Sequence, residues 1–71
     1  MNKYSCIYNS GSYLYRAVCV AEDENTAREL VAEEANREWP RYGLADPKKW
    51  NVMALAVKCA SGPARVLDLR Y

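Results

Sequence analysis

One stretch of the chain limits its architecture more than any other. Between Asp23 and Trp39, the residues Ala27, Leu30, Val31, Ala35 and Trp39 recur at helical spacing. Asp23 is a strong N-cap type and Glu24 lies in the first turn. Trp39-Pro40 ends the helix, because the residue before a proline avoids the α region. Glu24–Arg28 and Glu33–Arg37 stand at i,i+4 in the favourable order, each contributing about 0.2–0.5 kcal/mol. The stripe is rich in alanine, so this helix can lie close to a sheet. It can cover one face of that sheet only.

The flanking stretches read as strands. Residues 3–9 and 12–21 are rich in aromatic and β-branched types and flank Ser10-Gly11, a hairpin turn in which glycine accepts positive φ. Pairing Asn9 with Ser12 sets Tyr8 opposite Tyr13, Cys6 opposite Tyr15 and Tyr4 opposite Ala17; a four-residue loop gives the same two faces. One face carries Tyr4, Cys6, Tyr8, Tyr13, Tyr15, Ala17, Cys19 and Ala21, and is the side expected beneath the helix. The other carries Ser5, Ile7, Leu14, Arg16, Val18 and Val20.

Residues 40–49 hold Pro40, Gly43 and Pro47 and read as a loop, long enough for a chain of this size to point to function. Residues 50–59 read as a strand, with a short helix as the alternative. Ser61-Gly62-Pro63 turns the chain and residues 65–71 form a last strand. Pairing Val57 with Leu67 sets Leu55 against Leu69 and Met53 against Tyr71. Trp50, Val52, Ala54 and Ala56 then share the opposite face with Val66, Asp68 and Arg70. The expected fold is α+β: a four-stranded antiparallel sheet with one helix on one face, in the order β-β-α-β-β. Both faces carry apolar side chains on this reading, so the uncovered one calls for a cover, and a homodimer is expected.

At 71 residues there is room for one domain, residues 1–71. Such a domain buries about 60% of the surface its unfolded chain exposes, and its core supplies roughly 3–5 kcal/mol. Cys6, Cys19 and Cys59 are too few and too scattered for a disulfide framework or a zinc site, and read as small buried hydrophobes. There is no apolar leader run and no stretch near the ~20 apolar residues of a membrane span. The expected location is the cytoplasm, that of the host cell if the chain is phage-encoded.

The chain has no histidine, which removes the usual general base near pH 7 and the Ser-His-Asp and Cys-His arrangements. Its three glycines are isolated turn residues rather than a phosphate-binding loop. Glu33 and Glu34 project about 100° apart on a helix and do not form a carboxylate pair. A non-enzymatic protein without cofactor or metal is expected.

Charge gives the clue to partners. Net charge is +1, yet residues 22–38 hold seven acids and two arginines. These acids read either as a solvated outer face or as a surface on which Glu29, Glu33 and Glu34 dock a basic partner, occupying sites that otherwise hold phosphates. A second candidate surface is the basic-aromatic group Arg41, Tyr42, Lys48, Lys49 and Trp50, suited to phosphate contacts with base stacking or to protein hot spots. The third is the tyrosine group Tyr4, Tyr8, Tyr13 and Tyr15, a stacking platform if exposed and core if covered.

The run Val20-Ala21-Glu22-Asp23-Glu24-Asn25-Thr26-Ala27 after a short hairpin, followed by Trp50-Asn51-Val52, resembles small phage and mobile-element accessory proteins of the anti-CRISPR type. That resemblance, which covers residues 4–39, implies a protein that binds a host nuclease complex and blocks target-DNA capture, in some cases by an acidic DNA-like surface. No functional residue carries across from it. The function expected is therefore a binding protein acting on a host protein or protein–nucleic-acid complex. The alternatives are direct nucleic-acid binding through the basic-aromatic loop, and a small ligand such as a nucleotide at a dimer interface.

Overall fold

The computed structural model of the chain describes residues 1–55 and 62–71. The elements are β1 (Asn2–Asn9), β2 (Leu14–Ala21), α1 (Glu24–Glu38), a 3-10 turn (Pro47–Lys49), β3 (Asn51–Ala54) and β4 (Arg65–Arg70). All pairings are antiparallel, and the four strands lie in the spatial order β3-β1-β2-β4. The α+β fold with the chain order β-β-α-β-β is the one expected.

The β1–β2 hairpin closes through a four-residue loop, so Asn9 pairs with Leu14 rather than Ser12, and Tyr8 with Tyr15. The longer loop is favoured by its own hydrogen bonds. The Ser10 N–H donates to the Tyr13 carbonyl at 2.9 Å, and the Gly11 N–H donates to Asn9 Oδ1 at 2.9 Å. Gly11 adopts a φ of 92°, in the left-handed region. The pairing shifts by an even number of residues, so the division between faces survives.

α1 begins where Asp23 Oδ1 accepts the Thr26 N–H at 2.8 Å, and ends at Trp39, whose N–H reaches the Ala35 carbonyl at 2.8 Å. Its buried residues are Ala27, Val31, Ala32 and Ala35, while Leu30 and Trp39 pack at the margin. Beneath them lie Tyr4, Cys6, Tyr8, Tyr15, Ala17, Cys19 and Ala21, so the sheet supplies the bulk that the alanine-rich helix lacks. Leu44 and Trp50 complete the core from the long loop, both almost wholly buried.

The last two strands differ from expectation. β3 and β4 do not pair; they occupy opposite edges, β3 against β1 and β4 against β2. The proposed Leu55–Leu69 and Met53–Tyr71 pairs do not form, and Val57, Ala56 and Cys59 lie outside the described residues. The physical reason is the helix: α1 carries the chain from β2 across to the far side of β1, where β3 docks.

β4 also carries a bulge. Asp68 faces Val18 and Val66 faces Cys19, leaving Leu67 as the extra residue. Val66 and Leu69 consequently share the helix side with Val52, and all three pack against the core.

This register changes the second face. The edge strands place Asn51, Met53, Asp68 and Arg70 there, around Ile7 and Val18 at the centre. Val20 is fully buried, Ser5, Ile7 and Val18 are partly covered, and Arg16, Asp68 and Arg70 are exposed. The face is mixed: exposed Met53 and Leu14 stand among these charged side chains, so it is less continuously apolar than the strand reading expected. Among the described residues, no helix is long and apolar enough to cross a membrane.

Candidate functional site

The site is built by four chain segments meeting past the end of α1. Trp39 is fixed there by its capping hydrogen bond, and Pro40 turns the chain away. The Tyr42 N–H donates to the Trp39 carbonyl at 3.3 Å, and Gly43, with φ 65°, reverses the backbone. Leu44 thereby enters the core while Tyr42 stays 58% exposed. On the sheet, β4 pairs Leu69 with Ala17 and Arg70 with Arg16, a register that brings Tyr71 level with Tyr15. Tyr13 joins from the hairpin loop.

The rings form a connected cluster. Tyr13 and Tyr71 have centroids 5.3 Å apart, Tyr15 and Trp39 5.3 Å, Tyr15 and Tyr71 5.6 Å, and Trp39 and Tyr71 6.2 Å. All but one pair are tilted and that one is edge-on, arrangements that aromatic quadrupoles favour. With Tyr42 these rings line a hollow of about 70 Å³. Burial raises the Tyr15 phenol above its ordinary pKa, and the nearby phenols of Tyr42, Tyr71, Tyr13 and Tyr8 push the same way.

Trp39 is also a wall of an adjoining open groove of about 310 Å³, with Glu34 and Glu38 on the helix side and residues 66–69 on the β4 side. Its charged lining is acidic throughout. Glu34 is held by Arg37 at 3.0 Å and Asp68 by Arg70 at 2.9 Å, whereas Glu38 has no ion pair among the described residues.

The residues singled out from sequence are dispersed. Arg37 binds Glu33 at 3.4 Å as well as Glu34, so two of the three helix acids share one arginine. Glu29 is exposed beside a different hollow, with Arg28, Asp46 and Lys48. The basic-aromatic group divides. Tyr42 belongs to the ring cluster and Arg41 is exposed next to it in the chain. Lys48 and Lys49 sit on the 3-10 turn packed against α1.

Trp50 is not a contact residue. It is 1% exposed, lies against Tyr8 at 5.5 Å, and donates its indole N–H to the Leu44 carbonyl at 3.0 Å. A strand following a proline-rich loop needs an anchor, and Trp50 supplies it from inside. Tyr4, Tyr8 and Tyr15 are buried, while Tyr13 is 47% exposed.

Trp39 and Tyr71 were missed as site residues, the first read as stripe and the second as a partner of Met53. The available signal was six tyrosines in 71 residues, more than one covered face can hide. Among the described residues, no group of three or more Cys, Asp or Glu is placed to hold a metal ion. No protein-family model, curated protein or solved structure matches the chain.

Proposed function

We propose that this chain is a small, non-enzymatic binding domain that docks on a partner protein through its aromatic end. The observation that carries this reading is the ring cluster. Five aromatic side chains line one hollow, and Tyr13, Tyr42 and Tyr71 are 47%, 58% and 68% exposed. Large aromatics held in place by their neighbours lose little side-chain entropy on binding, which is why they dominate interface energetics. A hollow of about 70 Å³ falls well below the roughly 300–1,000 Å³ of small-molecule sites. It suits one side chain of a larger partner better than a free nucleotide.

The narrower identity, an inhibitor of the anti-CRISPR type acting on a nucleic-acid-handling host complex, is supported by the resemblance given above and by the acids of α1. Direct nucleic-acid binding draws less support. Burial of Trp50 removes the stacking ring from the basic loop, and Lys48 and Lys49 are exposed on the 3-10 turn, apart from the ring cluster that holds Tyr42.

A photoreactive residue placed at position 42, and in a second protein at position 49, tests the docking reading in cells expressing the chain. A defined crosslinked protein is expected from position 42, lost when Tyr13 and Tyr71 are both changed to Ser. Equal crosslinking from position 49, or crosslinking indifferent to those changes, would overturn it. Reversing Glu29, Glu33 and Glu34 to Lys in the same assay asks whether the acidic helix contributes.

A further inference from the structure

Resting on that docking reading, we propose that the aromatic hollow receives an arginine side chain of the partner protein, its guanidinium among the rings of Tyr13, Trp39 and Tyr71 and its charge met by Glu38. Three features of the site point to this occupant.

The first is the wall. The faces of Tyr and Trp rings are the negative ends of their quadrupoles, and a planar cation lying on them is attracted as well as packed. Arginine is the side chain that both stacks on aromatic faces and stays charged at any physiological pH. Its five N–H donors also suit the phenol oxygens carried by the tyrosines that line the hollow.

The second is size. A hollow of about 70 Å³ is small beside the roughly 300–1,000 Å³ of sites that take a whole ligand, and suits a small flat group. A flat guanidinium meets that limit, and its stem needs a way in. The groove that shares Trp39 provides one, with the apolar side chains of Val66 and Leu69 along its β4 wall.

The third is charge. Among the described residues, the groove is lined by Glu34, Glu38 and Asp68 and by no cation. Arg37 and Arg70 already hold Glu34 and Asp68, so among the described residues the carboxylate without an ion pair is Glu38, one residue before Trp39. Arg41 neighbours Tyr42 in the chain but lines neither the hollow nor the groove. A phosphate or carboxylate guest would approach past this acidic lining, whereas a guanidinium is drawn by it.

The test is a titration of the whole chain followed by NMR through the Trp39 indole N–H and the Tyr42 and Tyr71 amides. The probes are three capped tripeptides, Gly-X-Gly with X as arginine, lysine or citrulline, the last matching arginine in shape without its charge. Saturable shifts with a millimolar Kd are expected for the arginine peptide, with the citrulline peptide about tenfold weaker. Glu38→Gln is expected to weaken the arginine peptide about three- to fivefold, and Tyr71→Ala about tenfold or more, both read against unchanged thermal melts. Both side chains are exposed, and the melts report whether the fold is kept.

The citrulline peptide or the lysine peptide binding as well as the arginine peptide would overturn the assignment. So would the absence of saturable shifts at these resonances. If the crosslink from position 42 persists while the peptides fail, the arginine assignment falls and the docking surface stands. Loss of both removes the docking reading itself.

Discussion

Trp50 offers the sharpest test of the packing described above, because the same residue reads from sequence as a candidate contact. Its substitution by phenylalanine removes two things. The indole N–H leaves the Leu44 carbonyl, 3.0 Å away in a fully buried residue, without its donor. Stranding a buried acceptor costs about 1–3 kcal/mol. The missing ring atoms leave a void beside Tyr8 that adds about 1 kcal/mol. The expected loss is therefore about 2–4 kcal/mol, against a total of roughly 3–5 kcal/mol for a core of this size. In a domain this small each kcal/mol shifts the Tm by about 4–8 °C, so the melt should fall by at least about 8 °C. Urea unfolding followed by far-UV circular dichroism reads the free energy directly, with an unchanged m-value showing that the denatured state is unaltered. Trp50→Ala, at about 3–5 kcal/mol, should leave the chain largely unfolded at 25 °C. A Trp50→Phe variant within about 0.5 kcal/mol of the parent would refute the buried, hydrogen-bonded role and return Trp50 to the surface.

Two further outcomes follow from local chemistry. Cys6 and Cys19 are fully buried, and the Cys6 thiol is raised by its hydrogen bond to Cys19 and then by burial; in a Cys59→Ser background a thiol reagent should label the native pair at least about a hundredfold more slowly than the unfolded chain, and labelling at the unfolded rate would contradict the core. Asp23 is held below the ordinary carboxylate range by the Thr26 N–H, so its capping contribution is fully present above the unfolded pKa near 4 and is lost as pH falls through the lower folded value. The gap in Tm between the parent and Asp23→Ala should accordingly be level from neutral pH down to about 4 and close below it; a gap that widens in acid would reverse the sign of this argument.

What was legible in the sequence follows from how local each signal is. The Asp23 cap, the Pro40 stop and the alanine stripe lie within one helix, and the structure has them where they read. The faces of the hairpin were legible because their period of two survives a loop that is longer by two residues. The order of the strands was not, since nothing in residues 51–54 or 65–70 states which neighbour each will find. Val66 and Leu69 show why: three apart, they belong on opposite faces of a regular strand, and only the bulge at Leu67 puts them together. Misplacing β4 then hid the site. Tyr71 and Tyr13 are far apart in the chain and meet only when β4 lies against β2. Trp50 was ambiguous for another reason, because a tryptophan beside two lysines looks the same whether it faces solvent or the core.

The β4 edge strand also determines when this molecule is complete. Tyr71 touches Tyr13, Tyr15 and Trp39, so the cluster closes only after the outermost strand has docked, and it opens whenever that strand frays. Occupancy of the hollow and attachment of the strand then share one equilibrium. A guest that selects the closed cluster would tighten the rim of the sheet, and a lesion that loosens the rim would weaken that guest in proportion to the share of molecules left open.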